Sequence, residues 1–216
     1  MIKLFIAAAM TIVLSGTTAI AAPNGTFRQA HEYGYGDKSS LDPASRGRVM
    51  QITEKLMSRL IRPDMKGSPS PDLATSWSSN DEATVWTLNL REGVKFHDGS
   101  GFDSGDVIYT FSRVLDPENK SPARSAIKMI EKMEAPDDMT VKFTLSTPFA
   151  DMPLQLMDYR LRIIPENSGD SIATSGIGTG PFKLVSYDAA GVTKLEANMD
   201  YWEGAPGVAN MEVIGI

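Results

Sequence analysis

Two histidines and three closely spaced glycines are the residues of this chain best suited to a reactive or anion-holding site. His31 and His97 stand far apart, with no cysteine anywhere in the sequence. That separation argues against a His-only metal site and leaves only His with remote carboxylates as a metal-binding alternative. A strand-end His31 and a turn His97 beside Asp98 are the simpler reading, so no metal is expected. Gly176, Gly178 and Gly180 have the density of a phosphate loop. Pro181 follows directly, removes a backbone N–H and leads into a strand-like stretch, whereas phosphate cradles open a helix. Turn glycines fit better. No serine sits in a Gly-x-Ser-x-Gly elbow, and without cysteine there is no thiol nucleophile. The many Asp and Glu residues single out no pair. The sequence therefore offers no catalytic constellation and calls for no cofactor.

The elements that would position such residues follow a segment with the character of an export signal. Lys3 is the only charged residue among the first twenty-one, and Leu4–Leu14 is apolar except for Thr11. That run is too short to span a bilayer, which takes roughly 20 residues. With Ala19-Ile20-Ala21 as a small-residue cleavage site it reads as a signal peptide over residues 1–21. Ser15-Gly16-Thr17 follows Leu14 where a lipoprotein precursor would carry Leu-Ser-Gly-Cys, so no lipid anchor is expected there. Removing Lys3 moves the formal charge from −6 to −7. An acidic exported chain is a poor partner for nucleic acid or an anionic membrane face. Without disulfides, burial must hold the fold.

Beyond residue 21 the pattern mixes helices and strands. A strand is expected over Thr26–Tyr35, and Leu41-Asp42-Pro43 is expected to open a helix with Pro43 near its first position. Val49, Ile52, Leu56 and Leu60 recur at helical spacing, and residues 62–71 read as a proline-rich loop. Trp86, Leu88 and Leu90 alternate as a strand, as do Val94 and Phe96, before an Asp98-Gly99 turn. Asp103 with Asp106 three residues on forms a capping-box signature. Val107, Ile108, Phe111, Val114 and Leu115 then share one helix face. Further strands are expected around Val141–Leu145, Pro181–Tyr187, Val192–Ala197 and Met211–Ile216, with a short helix near Ala150–Asp158. The irregular order argues for α+β or irregular α/β.

Two segments carry more than periodicity. The first runs Pro71-Asp72-Leu73-Ala74-Thr75-Ser76-Trp77, then Trp86 through Leu90-Arg91-Glu92-Gly93-Val94-Lys95-Phe96-His97-Asp98-Gly99, then Asp106–Phe111. The second runs Gly178-Thr179-Gly180-Pro181-Phe182-Lys183-Leu184 and closes with Asn198-Met199-Asp200-Tyr201-Trp202. Together they resemble the extracellular solute-binding protein family 5, the peptide- and nickel-binding components of ABC importers, over residues 26–216. One departure is Gly101–Gly105, where members usually carry a Pro and a Thr-Ala pair. Gly105 in the first helical turn costs up to about 1 kcal/mol relative to Ala.

The resemblance implies a mixed α/β fold like a type II periplasmic binding protein, with two lobes that close on a solute. On that plan residues 22–60 and 165–216 are part of lobe I, and residues 61–164 are an extra domain packed beside it. The second lobe would begin near Ile216, so an incomplete, non-catalytic, periplasmic component is expected. The implied solute is a di- or oligopeptide, with nickel, haem or sugar as alternatives, and the implied partner is an ABC permease. A free lobe acting only through a protein partner is the other class. One open half-cleft binds weakly, because a tight pocket encloses about 70–90% of its ligand. The implied lobe I contacts are Arg46, Gly47 and Arg48 after Leu-Asp-Pro, and Arg124 after Ser121-Pro122-Ala123, with Tyr33 and Tyr35 as further candidates. Peptide binders often place a Tyr where this chain has Ala123. Trp77, Trp86, Arg91, Phe96, Asp98, Gly99, Asp106, Gly180, Pro181, Tyr201 and Trp202 are expected to build the scaffold.

Overall fold

The structure, a computed structural model, describes residues 22–31, 38–188 and 190–216. The expected signal segment and the candidates Tyr33 and Tyr35 lie outside the described residues. Strand β1 covers Thr26–His31, and the remainder of the stretch to Tyr35 lies outside the described residues. Helix α1 spans only Met50–Leu56, so the expected helix at Leu41-Asp42-Pro43 is not there. The reason is a competing set of bonds. Asp42 Oδ1 accepts from the Ala44 N–H at 2.9 Å, and both Asp42 oxygens bind Arg113, at 3.0 and 2.6 Å. Ser40 and Gly47 close the loop on itself through Ser40 N–H to Gly47 O at 2.8 Å. An Asp that satisfies its own turn diverts the backbone from helix. Leu60 falls past the helix, where the chain is already extended and enters β2.

The proline-rich loop is in fact a small hairpin, β2 (Ile61–Pro63) with β3 (Pro69–Pro71), around a turn at Gly67, φ +81°. Its prolines are tolerated because a two-stranded ribbon consists only of edges. Strands β4 (Ala74–Ser79) and β5 (Val85–Leu90) follow, then α2 (Ser104–Leu115) and α3 (Arg124–Ile127). Strands β6 (Ile130–Asp137) and β7 (Thr140–Leu145) complete an antiparallel sheet in the order β4-β5-β7-β6. Helix α2 starts on the capping box read from the sequence. Asp103 accepts from Gly105 N–H at 2.7 Å, and Asp106 accepts from Asp103 N–H at 3.0 Å. A Cβ on Gly105 would lie 2.9 Å from that same Asp103 Oδ1, so glycine leaves the cap its room.

Helices α4 (Met152–Leu156) and α5 (Ile172–Ser175) lead to β8 (Phe182–Ser186), β9 (Val192–Ala197) and β10 (Asn210–Gly215). These form a second sheet, β1-β10-β9-β8, in which β1 alone runs parallel to its neighbour. Two apolar cores result. Leu88, Phe96, Phe111, Ile127 and Phe143 lie in the one under the β4-β5-β7-β6 sheet, with Phe111 and Phe143 stacked 5.1 Å apart. Leu41, Ile52, Leu56, Leu195 and Val213 lie in the other. Among the described residues no helix is long and apolar enough to cross a membrane.

Three joints hold the two cores in register. Gly180 N–H donates to Leu56 O at the end of α1, 2.9 Å, and a Cβ there would strike Leu56 and Lys55 backbone atoms at 2.5 Å. Gly178 is equally tight, 2.2 Å from Leu56 O. Close packing, not turning, therefore explains these two glycines, and of the three only Gly176 has positive φ, +58°. The His97 ring bridges the same segment, with Nε2 donating to Gly180 O at 3.1 Å and Nδ1 accepting from Gly178 N–H at 3.3 Å. Burial lowers His97 to about 4, more than its bond to Gly180 O restores, so the ring is neutral. Asp106 supplies the third joint by accepting from Glu166 N–H at 2.8 Å.

Candidate functional site

The loop that replaced the expected helix fixes Arg46, Gly47 and Arg48 before α1. Gly47 has no room for a side chain, since a Cβ would fall 1.9 Å from Lys38 O. Arg46 is exposed and faces a shallow groove of about 320 Å³ with Asp42, Arg113, Asn119 and Lys120. Arg48 turns elsewhere. Its guanidinium donates to Ser45 O at 2.9 Å and to the Tyr159 hydroxyl at 2.5 Å, and its Cζ stands 4.8 Å from the Tyr159 ring centre.

Tyr159 is 40% exposed and has a second guanidinium near its ring, with Arg160 Cζ 5.6 Å from the ring centre. Arg160 is held in place on both sides. It donates to Asp158 Oδ1 at 2.8 Å, pairs with Asp158 Oδ2, and donates to Pro122 O at 2.8 Å. Burial would raise the Asp158 carboxyl, but the Arg160 hydrogen bonds and the charges of Arg160 and Arg48 hold it below its ordinary value. The Asp158 carboxylate is paired with Arg160, and Arg48 is the second cation beside the partly exposed Tyr159 ring. Such an arrangement suits a solute with a carboxylate and an apolar or amide portion, held by charge and by stacking.

Asp158, Tyr159 and Arg160 were not singled out from the sequence. Their only signal there is an Asp-Tyr-Arg triplet set between Leu156-Met157 and Leu161. Through Arg160 they bring Arg48 beside the Ser121-Pro122 loop. Beyond Pro122 the loop buries Ala123 and leaves Arg124 exposed. Ala123 is fully buried, and Arg124 Nε donates to Leu115 O at the end of α2, 2.9 Å. No hydrogen bond or ion pair joins Arg124 to Arg48 among the described residues.

The motif residues lie within the scaffold. Trp86 is buried and donates to Phe149 O at 3.2 Å, while Trp77 packs half-buried on the same core. Phe96 meets Phe102 edge-on at 6.3 Å. Asp98 accepts from the Ser100 N–H and hydroxyl in a turn completed by Gly99 at φ +92°. Arg91 lies 4.1 Å from the Trp202 ring centre and donates to Asp72 O. Tyr201 donates to Glu203, which pairs with Arg62. Pro181 lies beside Tyr201 in a pocket at the end of α1.

Residues 68–215 match the profile of bacterial extracellular solute-binding proteins, family 5 Middle. The chain belongs to this family. Among curated relatives, Glutathione-binding protein GsiB of Pectobacterium atrosepticum is 35% identical over 135 residues, 61% of this chain and 26% of that protein. Di/tripeptide-binding protein 2 of Pseudomonas aeruginosa is 31% identical over 65% of this chain and 31% of its own length. Protein XP55 of Streptomyces lividans is 32% identical over 94% of this chain and 39% of its own. The chain thus spans between about a quarter and two fifths of the length of these relatives. Among solved structures, AgaA of A. tumefacien R10, bound to agropinic acid, superposes with a TM-score of 0.80 at 30% identity. That match covers 89% of this chain and 40% of AgaA. The periplasmic binding protein DppA of Helicobacter pylori, bound to the peptide STSA, gives 0.79 at 28%, over 89% of this chain and 43% of DppA. The mixed α/β architecture is that of periplasmic binding proteins.

Proposed function

We propose that this chain is a non-catalytic solute-binding component of an ABC importer, exported to the periplasm by residues 1–21 and serving an ABC permease. Residues 22–60 and 165–216 act as part of lobe I, with residues 61–164 packed beside it. The solute is a di- or oligopeptide or a similar small carboxylate. It rests on the Arg48–Tyr159 rim, with Arg46, Gly47, Arg124, Tyr33 and Tyr35 as neighbouring contacts. The observation that carries this reading is the exposed Tyr159 ring set against the Arg48 guanidinium, which forms no ion pair among the described residues, in a member of family 5. The peptide-binding names of the relatives support the solute class. The rim is open on one side, so binding by these residues alone is weak.

Calorimetry with di- and tripeptides, glutathione, nickel–histidine and a disaccharide tests the reading. The expected result is weak binding of peptides that is lost when the peptide C-terminus is amidated. Tight binding of the metal complex or the sugar, with none of peptides, would overturn the solute class.

A further inference from the structure

A second cluster of cations lies at the C-terminal end of α1, apart from the Arg48–Tyr159 rim. Antiparallel bridging of Arg59 to Arg162 sets two arginines on facing backbones. Both line a pocket of about 240 Å³ together with Lys55 and Arg62, against the carboxylates of Glu54 and Asp72. Arg62 is already bound at both nitrogens to Glu203, 2.8 and 2.6 Å, and Lys55 to Glu54 at 2.7 Å. Asp72 spends Oδ2 on the Arg59 N–H, at 3.0 Å. Among the described residues Arg59 and Arg162 form no ion pair, although the charges of Asp72 and Glu54 act on both from nearby.

The two guanidiniums are correspondingly short of partners. Each has one nitrogen on a backbone carbonyl: Arg59 on Met157 O, 2.6 Å, and Arg162 on Met57 O. The Nε of each is buried with no partner among the described residues. Arg162 is only 4% exposed, and burial together with its like-charged neighbour Arg59 lowers it to about 10. Adjacent guanidiniums with spare donors, one buried (Arg162) and one half-buried (Arg59), favour an anion that can accept from both. A tetrahedral oxyanion presents four oxygens and suits bidentate donors, which a single-centre halide does not.

We infer that the pocket between α1, β2 and the 161–163 segment is a site for a small tetrahedral oxyanion, inorganic phosphate or sulfate, bound by Arg59 and Arg162 together with Lys55. The anion locks the α1 end to the 161–163 segment and is independent of the solute rim. Thermal unfolding of the full chain in sodium phosphate, sodium sulfate and sodium chloride at matched ionic strength tests it. The midpoint should rise and saturate in phosphate and sulfate while chloride leaves it flat. ³¹P line broadening of inorganic phosphate should appear with the wild-type chain, weaken in Lys55→Gln and vanish in Arg59→Gln. The exposed control Lys132→Gln should keep it. Arg162→Gln should lose the response if it folds; Lys55→Gln and Arg59→Gln decide the matter if it does not. Equal stabilisation by all three salts, or phosphate broadening unchanged in Arg59→Gln, would overturn the site.

Discussion

Replacing Gly180 by alanine tests how the two cores are joined. The new methyl would lie 2.5 Å from the Leu56 carbonyl carbon, 2.5 Å from Lys55 O and 2.7 Å from Leu56 O. These are backbone atoms and cannot rotate away, so α1 and the 178–181 segment must part. Parting stretches the Gly180 N–H bond to Leu56 O and displaces Gly180 O from its two donors, His97 Nε2 at 3.1 Å and Asn198 Nδ2 at 3.0 Å. Three hydrogen bonds at about 1 kcal/mol each, with about 1–3 kcal/mol for overpacking, give a loss on the order of 5 kcal/mol. Against a total of about 5–15 kcal/mol this removes a large share of the stability. Urea unfolding followed by tryptophan emission measures it. Gly207, with nothing within 4 Å of its Cβ position, is the matched control, and Gly207→Ala should change stability by less than about 0.5 kcal/mol. A Gly180→Ala loss below about 1 kcal/mol would refute the close-packing explanation.

Acid should act on the same joints in two opposed ways. His97, lowered to about 4, binds fewer protons folded than unfolded, so its contribution is complete above about pH 6.5 and is lost as pH falls towards 4. Burial, with the Asp103 and Glu166 charges adding to it, raises Asp106 to about 6, above its usual carboxylate range; stability therefore rises as pH falls through that window. The two opposed effects are of the same order, about 2–3 kcal/mol once screening is allowed for, so the wild-type urea midpoint should vary little between pH 6 and 4. Asp106→Asn should steepen the acid loss and His97→Gln should reverse its sign. Arg113→Met leaves the mostly buried Asp42 carboxylate unpaired and should cost about 3 kcal/mol by urea unfolding. Trp202→Leu removes the Arg91 stacking contact and should cost about 1 kcal/mol by the same assay.

What could be read from the sequence depended on how local its cause was. The Asp103–Asp106 capping box was legible because its donors and acceptors lie within three residues of each other. The Leu41-Asp42-Pro43 helix was misread because Asp42 is claimed by Arg113, far along the chain, which no local pattern reveals. Strands β4 and β6 carry too few alternating apolar residues to announce themselves, since both lie at sheet edges. Gly178 and Gly180 looked like turn residues because close approach to α1 leaves the same glycine signature as a turn. In the site, Arg48 was reached through its place after Leu-Asp-Pro. Tyr159 and Arg160 were not, because only the fold brings residue 159 against residue 48.

The Arg48–Tyr159 rim is tested most directly by an NMR titration of the ¹⁵N-labelled chain with dipeptides and glutathione. Shifts should concentrate at Arg48, Tyr159, Arg160 and the Pro122–Ala123 loop, saturate near millimolar concentration, about −4 kcal/mol, and disappear in Arg48→Met. Shifts confined to other surfaces, or unchanged in Arg48→Met, would contradict the proposed solute site.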